Sequence, residues 1–303
     1  MKILKLLLLF LFVPISTTFC QYVDSVNCFI QVQDLWDLDL NRATIKADFY
    51  LTLEYKNPEN KELSLLNGTI IKADTLIDND SLNILALRIS AELRTHFDYY
   101  RFPLDSQKIT IEVEPYQYIE DLVLITEPSQ NILINKIHLN GWIVTGIKGL
   151  SGINDYKIIE NNAPSEYKYS SLLFEISILR ENRFKYFLKT FLPSLISILI
   201  IYIGFILHSD QFYMRINLAL GSLFVIISNF IVTQRSLPNV SEFTLIEKIN
   251  LVSLIIVFIT ILFFAITHRL KNKFPTLNWK FFNRCYLVIT TIIYFGILVI
   301  LLA

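Results

Sequence analysis

The chain has 303 residues, 53% of them hydrophobic, and 27 acidic residues balance 27 basic ones. A zero formal charge gives no reason to expect a nucleic-acid partner. The balance hides a division: residues 21–183 carry 15 Lys and Arg against 24 Asp and Glu, a net of −9, whereas residues 184–303 carry 10 basic residues against 3 acids. An acidic front and a basic, apolar back belong in two solvents, water and bilayer.

Residues 1–20 read as a secretory signal peptide. Lys2 and Lys5 precede the apolar stretch from Leu6 to Val13, and small residues near Cys20 suit cleavage there. The apolar stretch is short for a membrane span. Residues 21–183 then read as an extracellular β domain. Ile45, Ala47, Phe49, Leu51, Leu53 and Tyr55 alternate with polar neighbours, the period of a half-buried strand. The same period recurs at Ile109, Ile111 and Val113 and at Leu172, Phe174, Ile176 and Ile178. Turn clusters at Asn57-Pro58, Asn67-Gly68, Asp78-Asn79-Asp80, Asn140-Gly141 and Asn161-Asn162 separate the strands. Many short strands with regular turns predict an immunoglobulin-like β-sandwich. Asn67-Gly68-Thr69 is a glycosylation sequon in a host that glycosylates.

Residues 184–303 hold four apolar runs, at about 187–207, 215–235, 249–267 and 285–303. Each is long enough to cross a bilayer as a helix, so the fold class is a β-sandwich followed by a four-helix transmembrane bundle. Export of the first domain sends the first helix inward. The link 268–284 is then cytoplasmic, and its Arg269, Lys271, Lys273, Lys280 and Arg284, without an acid, satisfy the positive-inside rule. The protein is expected in the cell membrane, multi-pass, with its amino-terminal domain extracellular or periplasmic.

No CxxC, HExxH, P-loop or GxSxG motif occurs, and the four histidines are scattered. Neither an enzyme nor a cofactor or metal site is expected. The second apolar run carries a stripe instead. Asn217, Gly221, Phe224, Ser228, Ile231 and Arg235 recur at steps of four and three, which places them on one helical face. Such a line is either a packing seam of small residues or a face that meets water.

The segment Phe102-Pro103-Leu104-Asp105-Ser106-Gln107, within residues 97–107 and continuing into Glu112-Val113-Glu114-Pro115-Tyr116, is a specific signature. Leu237-Pro238 after the second run supports it. With the export signal, the β domain and four helices, the chain resembles the pentameric ligand-gated ion channels, the Cys-loop receptor superfamily. It looks closest to the prokaryotic branch that lacks the loop disulfide, since Thr95 and Ile109 stand where the two cysteines would be.

The resemblance implies five identical subunits in membrane lipid around an axis, with the second helix of each lining a pore for permeant ions. Asn217 would form the inner constriction, Phe224 a mid-membrane ring, and Arg235 the outer mouth, with Gly221, Ser228 and Ile231 between. Asp37, Asp39, Asp105 and Arg180 would form an ion-pair cluster that, with Phe102 and Pro103, meets the outer link near Pro238 and couples ligand to pore. Glu114, Tyr116, Tyr156 and Tyr169 would form an intersubunit cage for a small-molecule agonist, an amine held by cation–π attraction. Protons or a divalent ion acting on the carboxylates are the alternative stimulus.

Cations are the expected permeant ions, on the strength of the −9 domain and of Asp210 as an inner acidic ring. Anion conduction is the alternative. Met214 stands where cation-selective relatives carry Glu, and Arg235 would repel cations. A non-conducting binding receptor or accessory subunit of the same fold is the further reading.

Overall fold

The computed structural model describes residues 23–133, 137–160, 163–208, 210–235, 237, 242–274 and 276–302. The signal segment 1–20, Asn161-Asn162 and Pro238 lie outside them.

Among the described residues ten strands come first: β1 (Asp24–Asp39), β2 (Thr44–Glu54), β3 (Leu63–Leu65), β4 (Gly68–Asn79), β5 (Ile84–Arg94), β6 (Ser106–Pro115), β7 (Leu122–Ile125), β8 (Ile132–Leu133), β9 (Trp142–Glu160) and β10 (Ala163–Arg180). One sheet runs β4-β5-β2-β1-β7, with β8 also paired to β1; the other runs β3-β6-β10-β9. Their inner faces share one core, in which Ile30, Phe49 and Leu93 of the first sheet meet Ile111, Phe174 and Ile176 of the second. The period-two pattern therefore marks one buried face per sheet. In β1 the buried set changes parity, from Val26, Cys28, Ile30 and Val32 to Leu35. The register shift between Val32 and Asp34 supplies the extra residue, which returns the strand's apolar side to the core.

Gly68 opens β4 where only glycine fits: an added Cβ would stand 2.9 Å from the Glu92 carbonyl oxygen and from a Leu93 methyl. Beside it, the Asn67 amide nitrogen donates to Thr110 O at 2.8 Å and Arg94 O at 3.0 Å, while its oxygen accepts from Glu112 N at 2.9 Å. The sequon amide is thus turned inward as a clamp between the sheets, not outward as a glycan acceptor.

Among the described residues four α-helices follow: α1 (Arg183–Ile206), α2 (Phe212–Arg235), α3 (Leu245–Lys273) and α4 (Trp279–Leu302). All four are long and apolar enough to span a membrane; 24 residues reach about 36 Å against a hydrocarbon core of about 30 Å. Each begins three to six residues before its apolar run, because the run marks only the hydrocarbon part while polar and aromatic residues such as Tyr186, Tyr213 and Trp279 continue the helix outside it. The start of α3 is fixed by a capping box in which Thr244 and Glu247 satisfy each other's backbone N–H.

Inside the bundle, polar side chains are paired across helices. Asn229 of α2 donates to Asn250 of α3 at 3.0 Å and to Thr190 O of α1 at 3.2 Å, and Ser194 of α1 also donates to Asn250. Ser253 meets Tyr294 at 3.2 Å, Thr260 meets Tyr286 at 3.1 Å, and Thr291 donates to Tyr202 at 2.9 Å. Where little water competes, such bonds hold helices in register.

Phe174→Ala, which empties a fully buried site between the sheets, is expected to cost about 3–5 kcal/mol. Thermal unfolding of the detergent-solubilised protein measures it, and a loss below about 1 kcal/mol would contradict a packed sandwich core at that position.

Candidate functional site

Three groups of side chains were expected to carry function, and each has a distinct environment. On α2, Asn217, Gly221, Phe224, Ser228, Ile231 and Arg235 are all exposed on the single subunit. The buried line of α2 is a different one: Arg215, Ala219, Ser222, Ile226 and Thr233. The seam against α1 and α3 therefore runs along the second line, and the stripe points away from it. Nothing lies within 4 Å of where a Gly221 Cβ would stand, so this glycine makes no close helix contact inside the subunit. The bond-forming residue that the stripe omits is Asn229. Its spacing from Ser222 and Arg215, seven and fourteen residues, is the signal that could have found it.

The second group lies where the sandwich meets the helices. Residues 95–105 form a loop between β5 and β6. Gln107 closes its base: the side-chain oxygen accepts from Asp98 N at 2.8 Å, and the nitrogen donates to Asp98 O and Asp105 Oδ2, both at 2.6 Å. A pair of amide hydrogen bonds thus ties a loop that carries no disulfide. Asp105 also accepts from Arg180 Nε at 2.7 Å, with the two side chains only 2% and 9% exposed. The guanidinium lies 4.4 Å from the centre of the Trp142 ring, 4.9 Å from Phe102 and 5.1 Å from Tyr186. A buried cation walled by aromatic faces and answered by one carboxylate is costly to break from either side.

The loop also seats on α3. Tyr100 O accepts from Leu245 N at 2.9 Å and Phe102 O from Ile246 N at 3.3 Å, which satisfies free N–H groups at the helix start. Phe97, Tyr99 and Phe102 pack with Leu237 and Ile246, and Tyr99 donates to Leu40 O at 2.8 Å. Burial pushes the Tyr99 phenol up to about 12. Phe102-Pro103 is a cis peptide, and both residues are buried.

Asp37 and Asp39 were expected in the same ion-pair cluster, and here the structure corrects the expectation. Asp37 pairs with Lys46 at 2.6 Å, an exposed partnership that holds its carboxyl below the usual range. Asp39 accepts from Asn41 N and Arg42 N at 2.8 and 3.1 Å and pairs with Arg42 at 3.7 Å. The β1–β2 turn has its own backbone donors and cations, and these absorb both carboxylates. Pro238 lies outside the described residues. Gln107, bonded to Asp105, and Trp142 and Tyr186, which flank Arg180, complete the junction without having been anticipated.

The third group lines a cleft of about 300 Å3 with Glu114, Tyr116, Tyr156 and Tyr169, joined by Ser64 and Tyr167. The Glu114 carboxylate accepts from Asn154 Nδ2 at 2.7 Å and Tyr156 Oη at 3.1 Å. Tyr156 meets Tyr169 edge to face at 5.6 Å, and Tyr118 lies 5.2 Å from Tyr169 and 5.6 Å from Tyr167. Desolvation, followed by the Glu114 charge, raises the Tyr156 phenol above its usual value. The four expected residues come together. Tyr118 and Tyr167 were missed, although Tyr167 and Tyr169 stand two apart on β10, the spacing that puts strand residues on one face; Tyr118 lies in the turn after β6, where no such spacing marks it.

No family model matches the chain. It is similar to the human gamma-aminobutyric acid receptor subunit rho-3, 24% identical over 209 residues that make up 66% of this chain and 43% of that one. It is 31% identical to the pH-sensitive chloride channel 2 of Anopheles gambiae over 171 residues, 55% of this chain and 27% of that one. The Drosophila melanogaster gamma-aminobutyric acid receptor subunit beta-like is 24% identical over 190 residues, 62% of this chain and 36% of that one. The chain spans less than half the length of each of these relatives.

Asp105→Leu is expected to destabilise the solubilised protein by about 3–5 kcal/mol by leaving Arg180 buried and unanswered. Asp105→Leu combined with Arg180→Met should recover most of that loss in the same thermal melt. A double variant as unstable as the two single losses summed would contradict a coupled pair.

The chain is thus similar to receptor and channel subunits, and its β-sandwich followed by four membrane-length helices is the architecture that the resemblance to the Cys-loop receptor superfamily implies.

Proposed function

We propose that this chain is the subunit of a homopentameric channel that an extracellular ligand opens, with α2 lining a pore that conducts anions. The observation that carries the reading is the two-sided character of α2. One line packs in the subunit while the line from Asn217 to Arg235 stays bare, which suits a face turned to a shared water-filled axis.

The preference for anions replaces the cation reading on three grounds. A relative is named a chloride channel. The stripe holds no carboxylate and ends on Arg235. Asp210, the acid that was to form an inner ring, is engaged by Lys271 and by His208 at 2.8 Å, and Lys271 holds its carboxyl below the usual range. The −9 charge of the sandwich remains. Its field, however, fades over a Debye length of about 8 Å at physiological salt, whereas a ring of arginines acts on ions at the mouth itself.

The tyrosine cleft suits an ammonium-bearing agonist, with aromatic faces for the cation and Glu114 for its charge. Two relatives are named for gamma-aminobutyric acid, a molecule with such a group. A proton stimulus is the second reading, favoured by the relative named as pH-sensitive. In either case the path to α2 runs through the Arg180–Asp105 junction and the loop seated on α3.

In cells expressing this chain alone, currents evoked by gamma-aminobutyric acid or by a pH series should reverse near the chloride equilibrium potential in asymmetric salt, and Arg235→Glu should weaken that preference. Reversal near the sodium potential would refute anion conduction. For an amine agonist, Tyr156→Ala should raise the half-maximal concentration about tenfold, the loss of one cation–π contact worth about 1–2 kcal/mol. An unchanged concentration would remove the cleft from the ligand site.

A further inference from the structure

The inner ends of α1, α2 and α4 enclose a pocket of about 510 Å3 whose polar lining is His208, Arg215, Lys280, Asn283 and Arg284. Arg215 is only 4% exposed. One terminal nitrogen of its guanidinium donates to Leu207 O just past the end of α1, and its Cζ lies 5.3 Å from the centre of the Phe264 ring. Its Nε has no hydrogen-bond partner among the described residues. Asn283, 8% exposed, has an equally unpartnered Oδ1 in the same lining. Lys280 and Arg284 stand one turn apart on the exposed side of α4 and form no ion pair among the described residues. The acid of the neighbouring link, Asp210, is already held by Lys271 and His208. Phe205 and Leu287 supply the apolar side of the pocket.

A desolvated guanidinium N–H and a desolvated amide oxygen are each costly unless something bonds to them. What answers both is a ligand with an anionic oxygen and a hydroxyl donor, attached to an apolar body. We propose that the pocket seats the headgroup of an anionic, hydroxyl-bearing glycerophospholipid of the cytoplasmic leaflet, phosphatidylglycerol in chemical class. Its phosphate meets Arg215 Nε, Lys280 and Arg284, and a headgroup hydroxyl donates to Asn283 Oδ1. Basic pockets between membrane helices on the cytoplasmic side have the charge such headgroups need. The site rests on the membrane orientation proposed above, with the 268–284 link inside, and not on whether the protein conducts.

Trp279, which lines an adjoining recess with Arg215 and Asn283, is a built-in reporter. The chain's other tryptophans, Trp36 and Trp142, belong to the sandwich. The full chain is reconstituted in phosphatidylcholine vesicles doped with phosphatidylglycerol, with brominated acyl chains placed on one lipid or the other at equal mole fraction. Brominated phosphatidylglycerol should quench Trp279 as though enriched roughly tenfold around it, and Lys280→Ala with Arg284→Ala should bring the enrichment within about twofold of unity. Arg269→Ala with Lys273→Ala, which removes equal charge outside the pocket, should leave it unchanged. Equal quenching by both lipids in the unaltered chain overturns the proposal, and so does an equal loss in the two double variants. Abolition of the preference by inorganic phosphate would show a free-anion site instead of a lipid site. Quenching by neither lipid would instead sink the membrane placement on which the site rests.

Discussion

A helix that takes polar side chains into a bilayer must give each of them a partner or water. In α2 this requirement is met in two ways on two lines of one helix. Asn229 meets Thr190, Ser194 and Asn250, and Ser222 and Thr233 bond back to carbonyls one turn earlier, at Leu218 and Asn229. Asn217 and Ser228 stay exposed on the subunit. Within a single chain the second line has no partner helix, and the ring of subunits proposed above would complete it. The proposed pore rests on this division of the helix.

The junction above the bundle obeys the same physics in a different setting. Arg180 ends the last strand with only two residues between it and α1, so β10 and the first helix are joined almost directly. Its charge is buried, which is tolerable because Asp105 and three aromatic faces surround it. Asp105 belongs to the loop whose carbonyls receive the first N–H groups of α3. One ion pair thus joins the last strand to the loop, and the loop to a membrane helix.

Much of the fold was legible because periodicity is a direct image of burial. The strands around Phe49, Ile111 and Phe174 follow the alternation, and each of the four apolar runs falls on a helix that begins three to six residues earlier. The bulge in β1 was not legible, since a one-residue parity change resembles noise until the partner strand is known. In the candidate site, Arg180 and Asp105 could be paired only through a family signature, being 75 residues apart. The misplacement of Asp37 and Asp39 has a local cause. Lys46 and the backbone of their own turn compete for them at short range, and composition cannot rank such competitors. The inward amide of Asn67 was hidden likewise, because a sequon says nothing of which acceptors lie beneath it.

The most direct measurement is water accessibility along α2 in the assembled protein in membranes. Cysteine is substituted in turn at Asn217, Ser228, Ser222 and Ile226, and each variant meets a membrane-impermeant thiol reagent. Asn217→Cys and Ser228→Cys should react, at least in the presence of the stimulus, and Ser222→Cys and Ile226→Cys should stay protected. Protection of Asn217→Cys and Ser228→Cys in every condition, with labelling only by a lipid-soluble maleimide, would mean that the bare line faces lipid and that α2 lines no pore.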